Sequence, residues 1–313
     1  MNFGHVSVML GEVLDALEVK PHGSYLDCTL GGGGHAKAIA QRLDGDGLIV
    51  GIDRDEDAIH AAEENLSDVT CGVKIVRGNF TELDKILDGL NVDKLDGILF
   101  DLGVSSHQID TAQRGFSYMK DSPLDMRMDR RQSLTAFDVV NTYDEARLAK
   151  IFHDYGEERF SKRIAAAVCR ARKTSPIETT GQLARIIEQH VPRTKNGGHP
   201  AKRVFQAVRI EVNGELEILS GALKSAIGRL KVGGRLAVIT FHSLEDRIVK
   251  DTFKRAAQGC ICPKNFPVCV CNHKPEVKLC GKAQLPTPDE VNGNSRASSA
   301  KLRVVEKLGG ASQ

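Results

Sequence analysis

The sequence predicts an α/β fold in which a doubly wound, mostly parallel sheet is interrupted by a helical insertion. Three observations support this prediction. Strand-like and helix-like segments alternate up to residue 101, and four glycines at 31–34 separate the first strand from the first helix. The next strand-like segment begins only at residue 235, after a long stretch of helical pattern. A chain of 313 residues with 41% hydrophobic residues is large enough for such a core.

The predicted elements of the first part follow in a regular order. The strand-like segments lie at 24–29, 48–53, 73–77 and 96–101, and the helix-like segments between them include 35–42 and 55–66. Because strands that alternate with helices are joined by crossover connections, these strands are predicted to run parallel.

The long interval before the fifth strand predicts a separate helical domain. Helical patterns at 145–152, 160–173 and 182–190 fall in it, and the helix-like segment 215–231 leads into the strand predicted at 235–241. We therefore predict one domain from residues 1–108 and 213–313, and an inserted domain from residues 109–212.

The charge of the chain is concentrated in this insertion. The whole chain carries +2, yet residues 156–210 hold twelve Lys or Arg and four Asp or Glu, which is +8 and leaves −6 for the remainder. Arg159, Arg163 and Arg170, at spacings of four and seven, are predicted to lie on one helical stripe. This pattern favours docking to RNA or DNA, and the alternative is an ordinary solvated helix face.

The termini and the hydropathy pattern bear on location. The chain contains no apolar run of eighteen residues, and its first twenty residues lack a basic region ahead of an apolar stretch. We therefore expect a cytoplasmic protein with no membrane partner.

Five of the eight cysteines crowd into one segment, as Cys260, Cys262, Cys269, Cys271 and Cys280. Paired thiols could offer four ligands to zinc, but Cys-x-Cys spacing is less usual for structural zinc than Cys-x2-4-Cys. From the sequence we expect no stoichiometric metal. The alternative, a zinc site, stays open.

The glycine run points to a nucleotide-like cofactor. Glycines allow a sharp turn and a close backbone approach before a helix N-terminus, and Asp53 ends the following strand, twenty-two residues after Gly31. A carboxylate there can accept from both ribose hydroxyls of NAD or of S-adenosylmethionine. Asp27 separates the two cofactors, because an acid suits the cationic methionyl amine and repels a pyrophosphate. Its alternative role is to cap a turn.

Two further residues stand where such folds bind ligands. Phe80 follows the third strand and could cover an adenine face, although an aromatic residue there is often core. Asp101 ends the fourth strand at the carboxyl edge of the sheet, where open α/β folds carry out their chemistry. Its alternative role is to anchor a loop.

Several longer strings resemble the RsmH (MraW) family of bacterial small-subunit ribosomal RNA cytidine N4-methyltransferases, nearly from end to end. They are Asp101-Leu-Gly-Val-Ser-Ser, Gly115-Phe-Ser-Tyr-Met, Pro123-Leu-Asp-Met-Arg-Met, Gly156-Glu-Glu-Arg-Phe-Ser-Lys-Arg-Ile, Phe205-Gln-Ala-Val-Arg-Ile and Phe241-His-Ser-Leu-Glu-Asp-Arg. The resemblance implies a class I (Rossmann-like) methyltransferase with an inserted helical domain. It also implies methyl transfer from S-adenosylmethionine to N4 of a cytidine in the decoding region of 16S rRNA within the small ribosomal subunit.

Carried over by motif, the resemblance implies a set of site residues. The cofactor residues would be Gly33, Gly34, His35, Asp53, Phe80, Asp101 and Gln108, and Asp101 would also orient the target amine. His107 stands where many members have proline, between the retained Ser106 and Gln108. The chain also lacks the Asp/Asn-Pro-Pro-Tyr platform of many amino-methyltransferases, which leaves Phe241 and Tyr118 as alternative stacking partners for the cytosine.

Two rival functions stay open at this point. A nicotinamide dehydrogenase fits the glycines and Asp53, but it is disfavoured by Asp27 and by the basic insertion. A ribosome assembly factor that kept a cofactor pocket would bind RNA and transfer no methyl group. The sequence leaves open whether the chain forms a homodimer.

Overall fold

The computed structural model describes residues 7–192, 198–260, 262, 266, 268, 270–271 and 273–309. The chain separates into two compact units, one formed by Met1–Gly103 with Leu216–Gln313 and the other by Val104–Glu215. The sequence prediction placed the two boundaries at 108/109 and 212/213.

The first unit contains a seven-stranded sheet in the order β3-β2-β1-β4-β5-β7-β6. Its strands are β1 (Ser24–Asp27), β2 (Leu48–Asp53), β3 (Gly72–Arg77), β4 (Leu95–Asp101), β5 (Leu230–Thr240), β6 (Val277–Leu279) and β7 (Lys301–Lys307). The first five strands pair in parallel, whereas β7 runs antiparallel to both β5 and β6. The predicted doubly wound, mostly parallel α/β fold is confirmed.

Both faces of this sheet are buried, because neighbouring residues of a strand point to opposite faces. Tyr25, Ile49 and Leu99 belong to one apolar core, together with side chains of the helices Leu10–Leu17, Gly34–Ala40 and Glu56–Asn65. Leu26 and Val50, which follow Tyr25 and Ile49 in sequence, belong to a second core with side chains of the helices Leu83–Gly89, Glu215–Arg229 and Ser243–Ala256. Helices on both faces explain why the strands read as continuous apolar runs.

The helices of the first unit are α1 (Leu10–Leu17), α2 (Gly34–Ala40), α3 (Glu56–Asn65), α4 (Leu83–Gly89), α12 (Ser243–Ala256) and α13 (Pro288–Gly293). Their starts follow from local capping. The Asp55 carboxylate accepts from the backbone N–H of Asp57 at the start of α3. At the start of α12, His242 and Glu245 form a reciprocal capping box.

The second unit is helical. It contains α5 (Ser106–Asp110), α6 (Ala136–Thr142), α7 (Glu145–Asp154), α8 (Ser161–Ala171), α9 (Thr180–His190) and α10 (Ala201–Asn213), and α11 (Glu215–Arg229) begins at its last residue. Capping boxes at Thr135 and Thr179 start α6 and α9. Buried side chains from α6 to α10, including Phe152, Ile164 and Val208, form a core within this unit.

Three predictions about elements were incomplete or wrong. β5 begins at Leu230 and not at residue 235, because it continues through Gly233, whose φ is 77°. The antiparallel strands β6 and β7 were not predicted. Arg159 precedes α8, which begins at Ser161, so the predicted helical stripe holds only for Arg163 and Arg170.

In the part of the chain that the structure describes, no helix combines the length and the apolarity needed to cross a membrane.

Candidate active site

The order of the strands creates a crevice at the carboxyl edge of the sheet. β1 lies between β2 and β4, so the chain leaves β1 towards one side of the sheet and later returns to the other side. Ligands of open α/β sheets bind at such a switch point. Three strands end there in an acid: Asp27 on β1, Asp53 on β2 and Asp101 on β4.

The glycine run forms the turn between β1 and α2. Gly31 and Gly33 have φ of 51° and 79°, a region that L side chains rarely adopt. A Cβ on Gly33 would lie 3.3 Å from Ala62, and one on Gly34 would lie against Ser7. A Cβ on Gly32, by contrast, would meet nothing within 4 Å. Packing within the protein therefore requires Gly33 and Gly34, and open space adjoins Gly32.

Asp53 holds the glycine turn. Its Oδ2 accepts from the Gly31 N–H at 2.8 Å, and its Oδ1 accepts from the Asp55 N–H at 2.9 Å. Burial raises the pKa of this carboxyl, and the two N–H donors oppose that rise. A carboxylate offers about four lone-pair positions, so after these two bonds Asp53 can still accept from a ribose.

Asp27 and Thr29 join the ends of β1 and β4. The Asp27 Oδ1 accepts from the Thr29 N–H at 3.1 Å, and the Thr29 hydroxyl oxygen accepts from the Asp101 N–H at 2.6 Å. Asp27 is 1% exposed. Burial raises its pKa to about 6, with His35 opposing the rise. The carboxyl therefore caps the turn at Thr29, and its ionisation also responds to the charges around it.

Asp101 combines burial with an unused acceptor. Its Oδ1 is buried without a hydrogen-bond partner among the described residues, while the side chain as a whole is 24% exposed. Burial, and secondarily the charge of Glu245, raises its pKa to about 7. A buried acceptor without a donor is rare in proteins, so this carboxyl is suited to a donor that a ligand brings.

His35 stands between the N-terminal segment and Asp101. Its Nε2 lies 3.0 Å from the Val8 carbonyl oxygen and its Nδ1 lies 3.6 Å from Asp101 Oδ2. Since a carbonyl oxygen only accepts, Nε2 carries a proton. Burial lowers the pKa of His35, so the neutral ring turns an unprotonated Nδ1 towards Asp101. This arrangement favours the protonated form of the Asp101 carboxyl.

Glu245 adds a further acid near this edge. Its Oε2 accepts from the Phe241 N–H at 2.9 Å, and its Oε1 lies 3.1 Å from His242 Nε2. This second contact does not count as a hydrogen bond, since His242 Nε2 is buried without a hydrogen-bonding partner in the described part of the chain. The two atoms are therefore close but poorly aligned. Glu245 is 2% exposed, so water screens its negative charge little, and this charge raises the pKa of Asp101.

The two other residues predicted to bind the cofactor have structural contacts of their own. Phe80 packs edge-on against Phe100, with ring centroids 5.5 Å apart, and is only partly buried. Gln108 is 5% exposed and its Oε1 accepts from the Ser105 N–H in the capping box of α5. Phe80 belongs to the first unit and Gln108 to the second. Their contacts with a cofactor remain predictions.

The two candidate stacking residues also differ in their surroundings. The Tyr118 ring stacks on His199, with centroids 4.5 Å apart, and meets Phe205 edge-on. One face of Tyr118 is therefore covered within the second unit. Phe241 follows β5 directly, is half-buried, and lies near Gly103, where a Cβ would be 3.7 Å from its ring. Its position at the carboxyl edge favours Phe241 of the two.

The arginines predicted to contact RNA are exposed. Arg159, Arg163 and Arg170 are turned to solvent and have no ion pair with any residue that the structure describes. Other basic side chains of the second unit are engaged: Arg209 binds Glu215 at 2.9 Å and Arg172 donates to the Val140 carbonyl. Some basic side chains of the insertion therefore stabilise its fold, and others remain exposed to solvent.

Sequence reasoning missed Thr29 and gave no role to Glu245 or His242. The signal for the latter pair was present, since a polar residue followed three positions later by Glu is the pattern of a capping box. Thr29 carries no such signal, because its contact with the Asp101 N–H joins two strands that are distant in sequence.

The acids at this edge suit a cationic ligand. Asp27 and Glu245 are buried, Asp101 is partly exposed with a buried Oδ1, and the neighbouring His35 is neutral because burial lowers its pKa. Buried carboxylates without a cation are costly, and the raised pKa values of Asp27 and Asp101 express that cost. A ligand with positive charge would stabilise their ionised forms, whereas a pyrophosphate would be repelled.

Known proteins are similar in sequence to this chain over almost its whole length. Ribosomal RNA small subunit methyltransferase H of Clostridium botulinum (strain Kyoto) is 53% identical over 310 residues, which cover 98% of this chain and 100% of that protein. The proteins of the same name from Clostridioides difficile and Lachnospira eligens are 51% and 52% identical, each over 98% of this chain and over 100% and 99% of their own lengths. Among solved structures, the match to an rRNA methylase of Streptococcus thermophilus covers 98% of this chain and 100% of that one, with 12% identity and a TM-score of 0.45. The MraW methylase family matches residues 2–308, and the chain belongs to that family.

Proposed function

We propose that this protein transfers the methyl group of S-adenosylmethionine to N4 of a specific cytidine in the decoding region of 16S rRNA, within the small ribosomal subunit. The observation that carries the proposal is the pair of acids Asp27 and Asp101 at the carboxyl edge, beside the glycine turn, whose pKa values burial raises to about 6 and about 7. S-Adenosylmethionine brings a sulfonium and an ammonium group to such an edge. Curated relatives named ribosomal RNA small subunit methyltransferase H support the RNA substrate.

The residues around the glycine turn fit this cofactor. Asp53 retains acceptor capacity for the ribose hydroxyls, and open space adjoins Gly32. Asp27 supplies a carboxylate for the methionyl ammonium, and Phe80 supplies an aromatic edge for the adenine. When bound, the cofactor supplies an electrophilic methyl group.

Asp101 is proposed to orient the target amine. The N4 lone pair of cytosine is delocalised into the ring, so the amine attacks well only when acceptors hold its hydrogens and favour the pyramidal form. The unused Asp101 Oδ1 is such an acceptor. In its ionised form Asp101 can also take the proton that the amine loses, and a pKa near 7 lets it do so at neutral pH.

The inserted helical unit is proposed to dock on ribosomal RNA. Arg163 and Arg170 lie seven residues apart on α8, so their side chains share one face of the helix. Ile164 and Val168 of the same helix are buried in the opposite direction. Exposed cations on a face that packs against nothing in its own unit are suited to phosphate oxygens.

The test is methyl transfer from tritiated S-adenosylmethionine to small subunits isolated from cells that lack this protein. We expect label in the RNA, and nucleoside mass spectrometry should identify N4-methylated cytidine. Label without that nucleoside would refute the target atom. RNA binding without transfer would identify an assembly factor, and NAD binding tighter than that of S-adenosylmethionine would identify a dehydrogenase.

A further inference from the structure

A cluster of three thiols lies in the segment between α12 and β6. The Sγ atoms of Cys260, Cys262 and Cys271 all lie within 4.8 Å of one another, and those of Cys260 and Cys271 are 3.7 Å apart. In a tetrahedral zinc site with Zn–S bonds of about 2.3 Å, neighbouring sulfur atoms are about 3.8 Å apart. The observed spacing is therefore close to that of zinc ligands and far from a disulfide bond of about 2.05 Å.

The described apolar side chains of this segment do not form a core that would hold it in place. The segment spans residues 257–276, and within its described residues there is no helix or strand. Loops this long are uncommon in compact domains. Its apolar side chains Phe266, Val268 and Val270 are 53%, 69% and 67% exposed, so they form no core under the loop. A bound metal can replace a missing core in a short segment.

A backbone donor suits a metal-bound thiolate in this cluster. The Val270 N–H donates to Cys262 Sγ at 3.4 Å, a contact that stabilises negative charge on the sulfur. His273, two residues beyond Cys271, lies outside the group of converging ligand atoms. Cys269, also predicted as a candidate ligand, lies outside the described residues.

We propose that Cys260, Cys262 and Cys271 bind a structural zinc ion as thiolates. The expectation of no metal was based on the unusual Cys-x-Cys spacing, and the convergence of the three sulfur atoms outweighs it. Each thiol loses its proton on binding, so zinc uptake releases protons and weakens as the pH falls.

The zinc site lies far from the reaction. α12 begins just after the carboxyl end of β5 and extends for 14 residues, about 21 Å, before the segment starts. The Glu276 N–H then donates to the Ala256 carbonyl at 2.8 Å, which closes the base of the segment. The ion therefore braces the junction of α12 and β6 and takes no part in methyl transfer.

The first test is the metal content of the full-length protein, purified under reducing conditions without chelator. We expect about one zinc per chain by elemental analysis, and loss of that zinc in Cys262→Ser. Cys280→Ser is the matched control, since Cys280 is a partly buried free thiol outside the cluster, and this variant should keep its zinc. Equal zinc in all three proteins, or none in the parent, would overturn the proposal.

Cobalt(II) gives a readout that does not depend on how much zinc survives purification. Cobalt added to metal-free protein should produce the intense sulfur-to-metal absorption of thiolate ligation, which Cys262→Ser should weaken and Cys280→Ser should not. Absence of this absorption in the parent would contradict the site, as would a Cys260–Cys271 disulfide in freshly isolated protein.

A stability measurement separates the structural role from a catalytic one. Chelation of the zinc should lower the melting temperature of the parent and of Cys280→Ser, and leave that of Cys262→Ser unchanged. The dissociation constant of S-adenosylmethionine should stay within about twofold in all of them, because the proposed site is remote from the crevice. A chelator effect of the same size on Cys262→Ser would contradict the proposal.

Discussion

Replacement of Asp101 by asparagine should stabilise the protein while it slows the reaction. Asn keeps the shape of the side chain and removes its charge, so it resembles the protonated form of Asp101. The pKa of Asp101 is raised in the folded state from 3.8 to about 7. The folded state therefore holds this proton more tightly than the unfolded state, and native stability falls as the pH rises from about 4 to about 7.

The size of the effect follows from that shift. One pKa unit corresponds to about 1.4 kcal/mol, so the full shift of the pKa corresponds to about 4 kcal/mol. Because the side chain is 24% exposed, water screens part of this penalty, and we take half of it, about 2 kcal/mol. Asp101→Asn should gain about that free energy of unfolding at pH 8, and under about 1 kcal/mol at pH 5.

Chemical denaturation of the parent and the variant at both pH values measures this difference. Asp96→Asn, at the other end of β4, is the matched control. The Asp96 carboxylate lies 2.7 Å from Lys231 Nζ, and its contacts lower its pKa. Neutralising it should therefore destabilise the protein at pH 8, the opposite sign. A gain in Asp101→Asn that is the same at pH 5 and pH 8 would refute the reasoning from burial.

The kinetic side of the same variant tests the role of Asp101. If Asp101 orients the amine, Asp101→Asn should lower single-turnover methyl transfer by roughly 100-fold and change cofactor affinity by less than about threefold. The parent rate should rise with pH through about 7, as the carboxyl ionises. Full recovery of the variant at saturating S-adenosylmethionine would leave Asp101 as a binding residue only.

Three further predictions concern the glycine turn, the ribose and the RNA. Gly33→Ala should destabilise the protein by roughly 1–2 kcal/mol, because its φ is 79° and Ala62 is close, whereas Gly32→Ala should be nearly neutral in the same denaturation series. Asp53→Ala should weaken S-adenosylmethionine binding by roughly 1.5–3 kcal/mol in calorimetry, since hydrogen bonds to a charged acceptor are lost, and an unchanged affinity would remove Asp53 from the cofactor site. Charge reversal at Arg159, Arg163 and Arg170 should weaken binding to small subunits and flatten its salt dependence, while cofactor affinity stays unchanged. Lys224→Glu on α11 is the control. A salt slope equal to that of the parent would argue against docking through this surface.

Much of the first unit could be predicted because its signals are local. Alternating strands and helices, the glycines and the strand-terminal acids are each readable within a few residues, and the sheet places Asp27, Asp53 and Asp101 at one edge. β7 was missed because a strand that runs antiparallel to its neighbours leaves no crossover pattern, although Leu302 and Val304 alternate with polar residues.

What could not be predicted depends on contacts between distant segments. The unprotonated His35 Nδ1 follows from the Val8 carbonyl, and the raised pKa of Asp101 follows from burial and Glu245. No spacing in the sequence contains these facts. The same holds for the thiols of Cys260 and Cys271, whose closeness depends on how the segment folds back.

The insertion between β4 and β5 also sets the order in which the parts can form during synthesis. β4 ends at Asp101, its parallel neighbour begins at Leu230, and the second unit between them is continuous in sequence with its own core. The second unit is therefore synthesised in full before β5 is available to pair with β4. Pairing across so long a gap is slow, and an open strand edge invites association with other chains. We therefore expect the nascent protein to be most prone to aggregation while this edge is open, and early formation of the insertion to shorten the distance that β5 must search.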